Sequence, residues 1–443
     1  MKITKDIANN INRAAIDQMV LANRIMSTFD SNKTGLNNNT IILGTTGSGK
    51  SMSITEPQII HTFNNSLVVT VTKRKVADEY KDLMQSRGYY VDILDLSNPD
   101  ESTVGFDPLN YIHDETDILP MARKIVYTSQ SQGSARDPYW DEAAITLISA
   151  EMAALLESWE YSKDTGSNDS PEPTLENLLE LHKRLKFTEL DRSGVTISSL
   201  DNLFERLERE NPVSFAVQCW NSVKGVAYRT ISCIMSTVNV AYANVFTPKI
   251  REVAVKKPLD PIQLGTEKTV YFIVTSPVDK SSNMFANIVY SSIFKILFEL
   301  AETCNNYRLP IPVHLICDDF ACGSPIPDFA EYISVIRATG ISTAVLVQSE
   351  SQFEKLYGEA DAITIMNNCD RLVYFGGNDI TTCNNIAKRA NVPFDEVYNM
   401  PLEKVYVFER GKKAVCTDRY KTMDDPVWQM IHETTLKEEK INQ

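Results

Sequence analysis

The residues with the clearest chemical reading are Gly44-Thr45-Thr46-Gly47-Ser48-Gly49-Lys50-Ser51, a G-x-x-x-x-G-K-S pattern. Glycines at this spacing let the backbone bend until successive N–H groups converge on phosphate oxygens. A helix opening at Ser51 would add the partial positive charge of its N-terminus. In that arrangement the Lys50 ammonium reaches the β- and γ-phosphates of a nucleoside triphosphate, and the Ser51 hydroxyl holds Mg²⁺. The flanks suit this reading. An apolar, β-branched run, Thr40–Leu43, leads in, and residues 52–56 contain neither Gly nor Pro.

Such a loop needs a carboxylate at the end of a neighbouring strand. The apolar run Val313–Cys317 is followed by Asp318 and Asp319. Asp318 would hold the Mg²⁺ shell, and Asp319 would orient or deprotonate an attacking water. The bland alternative is a strand-end cap. Gln348 directly follows the apolar run Ile341–Val347. This is the C-terminal edge of a parallel sheet, where ligands bind, and an amide there can contact a γ-phosphate or lytic water. Arg337 lies just before the same run. In ring-shaped ATPases an arginine from one subunit can complete the neighbour's site by stabilising transition-state charge. On spacing alone, a surface salt bridge for Arg337 and a solvated loop for Gln348 stay open.

Periodicity gives the elements that must position these groups. Residues 5–29 read as an amphipathic helix, and 31–39 as a polar linker. Beyond the loop, the run 67–72, a helix to Arg87 and a strand at 90–96 make a β-α-β-α-β alternation, the signature of a parallel sheet with helices on both faces. From 118 to 242 the pattern is helical, with helices expected at 143–159, 174–186, 198–210 and 221–240. The strand pattern returns at Thr269–Val274 and continues at Val313–Cys317, Ile341–Val347, 371–375 and 404–408. The expected organisation is a nucleotide-binding domain in two parts, 1–117 and 243–443, interrupted by an all-α domain at 118–242. The fold class is α/β.

Composition narrows the partners. With 44 Lys and Arg against 58 Asp and Glu, the net charge is −14, which argues against a protein that coats DNA with its outer surface. Nucleic-acid contact would need a local basic feature. Lys73-Arg74-Lys75, at a strand end, is one candidate, and a solvated turn is its alternative. The eight cysteines contain no C-x-x-C pair, which suits small buried hydrophobes in a reduced cytosol. No signal peptide is expected at the N-terminus. The most apolar stretch, 286–300, carries Lys295 and Glu299, so no membrane span is predicted.

In order along the chain, these motifs resemble the conjugative coupling proteins of type IV secretion, RecA-like ATPases of the TraG type. After the 44–51 loop, Val68-Val69-Thr70-Val71-Thr72-Lys73 resembles the family's second strand and its lysine. Gly88-Tyr89 and residues 91–96 resemble the family's next segment. Phe106-Asp107-Pro108-Leu109 is similar to its Asn-Pro-Leu step, and Trp140, Ala143 and Ala144 to the opening of its all-helical domain. Cys317-Asp318-Asp319-Phe320-Ala321 resembles the Walker B segment. Arg337-Ala338-Thr339-Gly340-Ile341 and Gln348-Ser349-Glu350-Ser351-Gln352 look like its arginine-finger and glutamine motifs. Asn368-Cys369 and Tyr374-Phe375-Gly376 resemble the sheet segment that comes after these motifs in the family.

The resemblance implies a RecA-like P-loop NTPase with a mostly parallel central sheet and an inserted all-α domain. It implies ATP and Mg²⁺ as cofactors, with Lys50, Asp319, Arg337 and Gln348 catalytic, residues 44–51 binding nucleotide, and Ser51 and Asp318 holding the metal. It also implies a ring, a homo-hexamer, that receives a relaxase with its single-stranded DNA and passes it to secretion components. The chain would be cytoplasmic and recruited to the inner face of the membrane through partners. Three positions depart from the family pattern. Asp319 stands where the family has Glu, one methylene longer; Val71 replaces an acid; and the usual N-terminal membrane helices have no counterpart. A nucleotide-dependent receptor that docks secretion substrates, or another RecA-like DNA translocase, are the alternatives.

Overall fold

The computed structural model describes residues 17–129, 137–167, 169–190, 195–276, 278–318, 320 and 325–432. The strands are β1 (Met19–Ala22), β2 (Ile25–Ser27), β3 (Thr40–Leu43), β4 (Ser66–Val71), β5 (Tyr90–Asp95), β6 (Phe187–Leu190), β7 (Val195–Ser198), β8 (Thr269–Val274), β9 (Val313–Cys317), β10 (Ile341–Val347), β11 (Arg371–Tyr374), β12 (Lys404–Glu409) and β13 (Val415–Asp418). The chain forms two compact units.

The first unit holds the described residues of 1–95, 260–278 and 293–443. Nine of the strands make one sheet in the order β13-β12-β11-β3-β10-β9-β4-β8-β5. Every pairing from β11 to β5 is parallel, and the β11–β12 and β12–β13 pairings are antiparallel. Strands β3, β4, β8, β9 and β10 are buried at every position. Their largely apolar runs are what a parallel strand covered on both faces requires. The helix Arg74–Ser86 buries Ala77, Tyr80, Leu83 and Met84, a single helical face.

Residues 19–27, expected within an N-terminal helix, instead form the antiparallel β1–β2 hairpin, with Met19 opposite Ser27. Met19, Leu21 and Ala22 are buried in the core with Ile42, Ile54 and Val69. A short apolar run cannot be assigned by periodicity alone, and here burial of a continuous strand wins. The remainder of that expected helix, 5–16, lies outside the described residues.

The second unit holds 96–259 and 279–292, a larger span than the 118–242 stretch with helical periodicity. Its central helix, Pro138–Thr165, buries Ile145, Leu147, Ile148, Met152 and Leu155. The unit is not all-α, because β6 and β7 pair as an antiparallel hairpin. Phe187 of that hairpin stacks on Trp220, which also stacks on Phe204 at 4.1 Å between centroids. The single helix expected over 221–240 is two, Phe215–Lys224 and Tyr228–Val245. The break falls at Gly225, the residue type with a low helix propensity.

The helix Lys280–Thr303 contributes residues to both units. Its stretch Ser281–Thr303 is, among the described residues, the one helix that by length and composition alone could cross a membrane. Of its most apolar window, 72% is buried within the protein, as in a core helix. The cysteines also differ from expectation. Cys233 and Cys416 are exposed, whereas Cys219, Cys317 and Cys383 are buried.

Candidate functional site

Strand β3 feeds the 44–51 loop from the middle of the sheet. It is flanked by β10 and β11, with Leu43 level with Val347 and Tyr374. The loop is tied to both neighbours. The Gly44 N–H donates to the Val347 carbonyl (3.1 Å), and the Thr45 N–H to the Gly376 carbonyl (3.3 Å). A Cβ at Gly44 would lie 2.7 Å from Phe375 Cβ and 2.8 Å from Ser48 Oγ, so no side chain fits there. Gly47 and Gly49 have φ of 79° and 88°, a left-handed backbone that L side chains resist.

The helix after the loop opens as a π-turn, Ser51–Thr55, with the Glu56 N–H bonded to the Ser51 carbonyl, and continues as Glu56–Ile60. Pro57 lacks an N–H and its ring crowds the carbonyl four residues back, and the wider turn before it relieves both conflicts. Lys50 is buried. Its ammonium donates to the carbonyls of Gly44 (2.5 Å) and Thr45 (3.1 Å). Ser48 Oγ is buried with no hydrogen-bond partner. A side-chain-free cradle, a lysine folded onto it and an unsatisfied hydroxyl fit a phosphate group, whose oxygens would accept from each.

Gln348 follows Val347 and is therefore next to Gly44 at the same sheet edge; it is half-buried. Asp318 follows β9, which lies beyond β10 from the loop, about 10 Å away at ordinary strand spacing. The Cys317–Val345 register puts Asp318 level with Leu346, and the Phe320 N–H donates to the Leu346 carbonyl (3.0 Å). The structure thus brings 44–51, Gln348 and Asp318 to one edge. Asp319 lies outside the described residues.

Ser349 caps the helix Glu350–Tyr357 by accepting from the Gln352 N–H at 3.1 Å. This fixes the start of the helix directly after Gln348. Burial raises the Glu350 carboxyl above its usual range, against the lowering effect of the Asn385 hydrogen bond and Arg389.

Arg337 is elsewhere. It follows the helix Phe329–Val335, is exposed, and donates to the Gly35 carbonyl at 3.0 Å. Gly35 precedes β3, so Arg337 sits at the opposite sheet edge, about 20 Å along the strands from the loop. Of the basic cluster, Arg74 pairs with Asp78 (3.0 Å) and Asp95 (3.2 Å), and Lys75 with Glu79 (3.5 Å). Two of its three charges are therefore internally paired.

Sequence reading missed Arg419 and Glu403. Arg419 follows β13 and Glu403 precedes β12, both at the loop's edge of the sheet. The Arg419 guanidinium makes two 3.1 Å bonds to the Glu403 carboxylate and a third of 3.1 Å to the Ser48 carbonyl. A Cβ at Gly49 would lie 2.6 Å from it. These residues are sixteen apart, joined only by the β12–β13 hairpin, and β13 carries no strong apolar pattern to announce it.

The parallel sheet, its central loop and the groups level with it define an α/β RecA-like P-loop fold. The family described as "Type IV secretory system Conjugative DNA transfer" matches residues 4–392, and the chain belongs to it. Among solved structures, the bacterial conjugative coupling protein TrwBdeltaN70 in complex with sulphate is similar at a TM-score of 0.66 and 15% identity, covering 95% of this chain and 93% of that one. Plasmid coupling protein TrwB in complex with the ATP analogue ADPNP gives 0.64 and 15%, with 94% and 92% covered. VirB4 of Thermoanaerobacter pseudethanolicus gives 0.54 and 11%, with 94% and 98% covered. No curated protein matches the chain in sequence.

Proposed function

We propose that this protein is an ATP-hydrolysing coupling protein that recruits a relaxase bound to single-stranded DNA and drives it into a type IV secretion channel. One observation carries most of the reading: the 44–51 loop, Gln348 and Asp318 share a sheet edge while Arg337 occupies the other. A side chain at the far edge cannot reach its own loop. This supports a ring, a homo-hexamer, in which Arg337 serves the loop of a neighbouring copy. The solved complexes of TrwB with ADPNP, and with ADP and Mg²⁺, support ATP and Mg²⁺ as the cofactors here.

In this reading the backbone N–H groups of 44–51 hold the phosphates, and Lys50 exchanges its carbonyl partners for β- and γ-phosphate oxygens. Ser51 and Asp318 would hold Mg²⁺, which when bound neutralises charge on those oxygens. Gln348 orients the attacking water and Asp319 accepts its proton. Arg337 stabilises charge on the transferred phosphoryl group from the neighbouring copy. The unit built on Pro138–Thr165 receives the relaxase and DNA. The protein works in the cytoplasm, held at the inner membrane face by its partners.

The test is ATP hydrolysis with and without single-stranded DNA. DNA should stimulate turnover, and Lys50→Ala should lower it by at least about a hundredfold, the scale for removing one preorganised charge-stabilising donor. Mixing Arg337→Ala with Lys50→Ala protein should restore part of the activity, because some interfaces then carry both intact residues. No recovery in demonstrably mixed rings rejects the shared site.

A second reading has one specific support, Asp319 in place of the family's Glu: a nucleotide-dependent receptor that docks substrates with little turnover. Nucleotide binding without hydrolysis in the wild type would favour it. Asp319→Asn should stop turnover with affinity retained, and an unchanged rate removes Asp319 from the chemistry.

A further inference from the structure

We infer that Thr422 is a positioning residue for Ser51: by engaging the Met52 carbonyl it holds the wide first turn of the helix, so the segment after β13 governs how well the site takes Mg²⁺. This rests on the triphosphate reading of the 44–51 loop.

The wide turn strands one carbonyl. The Glu56 N–H goes to the Ser51 carbonyl. In that register the Met52 carbonyl would be served by residue 57, which is a proline and has no N–H. Met52 therefore has no carbonyl partner within its own helix. Thr422 Oγ1 donates to it, from a side chain that is itself buried.

That bond selects between two registers of one turn. In an ordinary α-turn the Glu56 N–H belongs to the Met52 carbonyl. Pro57 disfavours this tighter register but leaves the carbonyl open, and Thr422 closes it. Without Thr422 the Met52 carbonyl would compete for the Glu56 N–H. The turn would then tighten by one residue and rotate Ser51 by about 100° relative to the helix body. Ser51 and Asp318 bring a hydroxyl and a carboxylate to one edge of the sheet, hard oxygen donors of the kind Mg²⁺ takes. Rotating Ser51 would remove one of the two.

Thr422 stands between two anchors on the same segment. Arg419 donates to the Ser48 carbonyl at 3.1 Å, and the Asp425 carboxylate meets Nε2 of His61, the C-cap of the helix, at 2.7 Å. Val427 and Ile431 are buried in one core with Ile54, Ile59 and Ile60. The contacts run in order, 419 to 48, 422 to 52 and 425 to 61, so the segment is a strap along the loop and its helix. The coupling is reciprocal: if the strap favours metal at Ser51, metal there steadies the strap.

The experiment uses the full chain and reads binding rather than turnover. Affinity for the non-hydrolysable analogue ADPNP is measured across a Mg²⁺ titration for the wild type, Thr422→Val and Thr422→Ser, with residue-resolved amide exchange. Thr422→Val keeps the shape and removes the donor. It should raise the Mg²⁺ requirement about tenfold, the scale for losing a group that orients a metal ligand, and leave Mg²⁺-free affinity within about twofold. Thr422→Ser keeps the donor and should match the wild type in both. In wild type holding ADPNP, Mg²⁺ should slow exchange of the Asp424 and Asp425 amides, which donate to the Lys421 and Thr422 carbonyls. That measurement decides the matter even where Thr422→Val does not fold. An unchanged Mg²⁺ requirement in Thr422→Val, an equal rise in Thr422→Ser, or no response to Mg²⁺ at 424–425 would each overturn the role of Thr422 while leaving the phosphate cradle standing. No ADPNP binding by the wild type would overturn the cradle and this role with it.

Discussion

Each compact unit holds a buried histidine whose pKa is displaced, and the two are displaced in opposite directions. In the helical unit His182 meets Glu151 Oε1 at 2.7 Å through Nδ1 and Asn239 Oδ1 at 3.2 Å through Nε2, while the Tyr242 hydroxyl donates to the other Glu151 oxygen at 3.0 Å. Both ring nitrogens face acceptors, which only the imidazolium satisfies. Burial alone would lower its pKa, but the Glu151 hydrogen bond and charge outweigh it, and the net shift is upward. In the sheet unit His314 lies between Ser342 Oγ (2.8 Å) and Gln58 Oε1 (3.2 Å), both neutral. Burial first, and then the Arg371 cation, push its pKa down to about 3. Burial pushes both rings toward the neutral form. Glu151 turns the shift of His182 upward against burial, whereas at His314 burial and the Arg371 cation act in the same direction.

The strongest way to break this contrast is at the fixed charges. Arg371 is fully buried, bonded to Glu409 (3.3 Å), the Asn37 carbonyl (2.8 Å) and Ser27 Oγ (2.7 Å). Arg371→Met should cost about 3–5 kcal/mol, since Glu409 and the carbonyl lose their partner. Urea unfolding followed by amide exchange in β11 checks this, and a loss below 1 kcal/mol would show that the charge is dispensable there. Glu151→Gln should cost less, about 1.5–3 kcal/mol, the worth of a charge-assisted bond. It should also return the His182 pKa to or below its ordinary value, a shift that NMR titration of the ring would read.

The smallest effects sharpen the contrast through pH. His314 is held neutral in the fold and protonates near 6.5 when unfolded. Its contribution is complete above pH 6.5 and is lost as pH falls toward 3, by up to about 1.4 kcal/mol per pH unit. His182 has the opposite sign. Its raised folded pKa makes its contribution complete below pH 6.5, and that contribution is lost as pH rises through the folded value. Segment-resolved amide exchange between pH 5.5 and 8 should therefore show β9 gaining protection up to about 6.5, and Leu175–Arg184 losing protection above it. Parallel slopes in the two segments would refute the opposite shifts of the two rings.

The loop and the buried strands were legible because their information is local. Gly44, Gly47 and Gly49 declare a backbone that other residues cannot adopt, and runs such as Thr269–Val274 match their strands residue for residue. The segment Met19–Ala22 was misread because four apolar residues fit a helical face and a buried strand equally well. The β6–β7 hairpin was missed because helical periodicity on either side hid two short strands. His182, Glu151 and Tyr242 gave no signal, because their spacing along the chain says nothing about the helices that bring them together.

By itself, then, the sequence determined that a glycine-rich phosphate cradle opens a helix, that acidic and amide groups end two other apolar strands, and that a helical segment separates these parts. Those are properties of neighbouring residues and of backbone sterics. Only the tertiary structure decided which groups meet. Parallel pairing of β3, β10 and β9 brings Gln348 and Asp318 level with the loop and carries Arg337 to the far edge. The β12–β13 hairpin returns Arg419 and Glu403 to the outside of the loop. Strand order and register arise from contacts across hundreds of residues, and no local pattern encodes them.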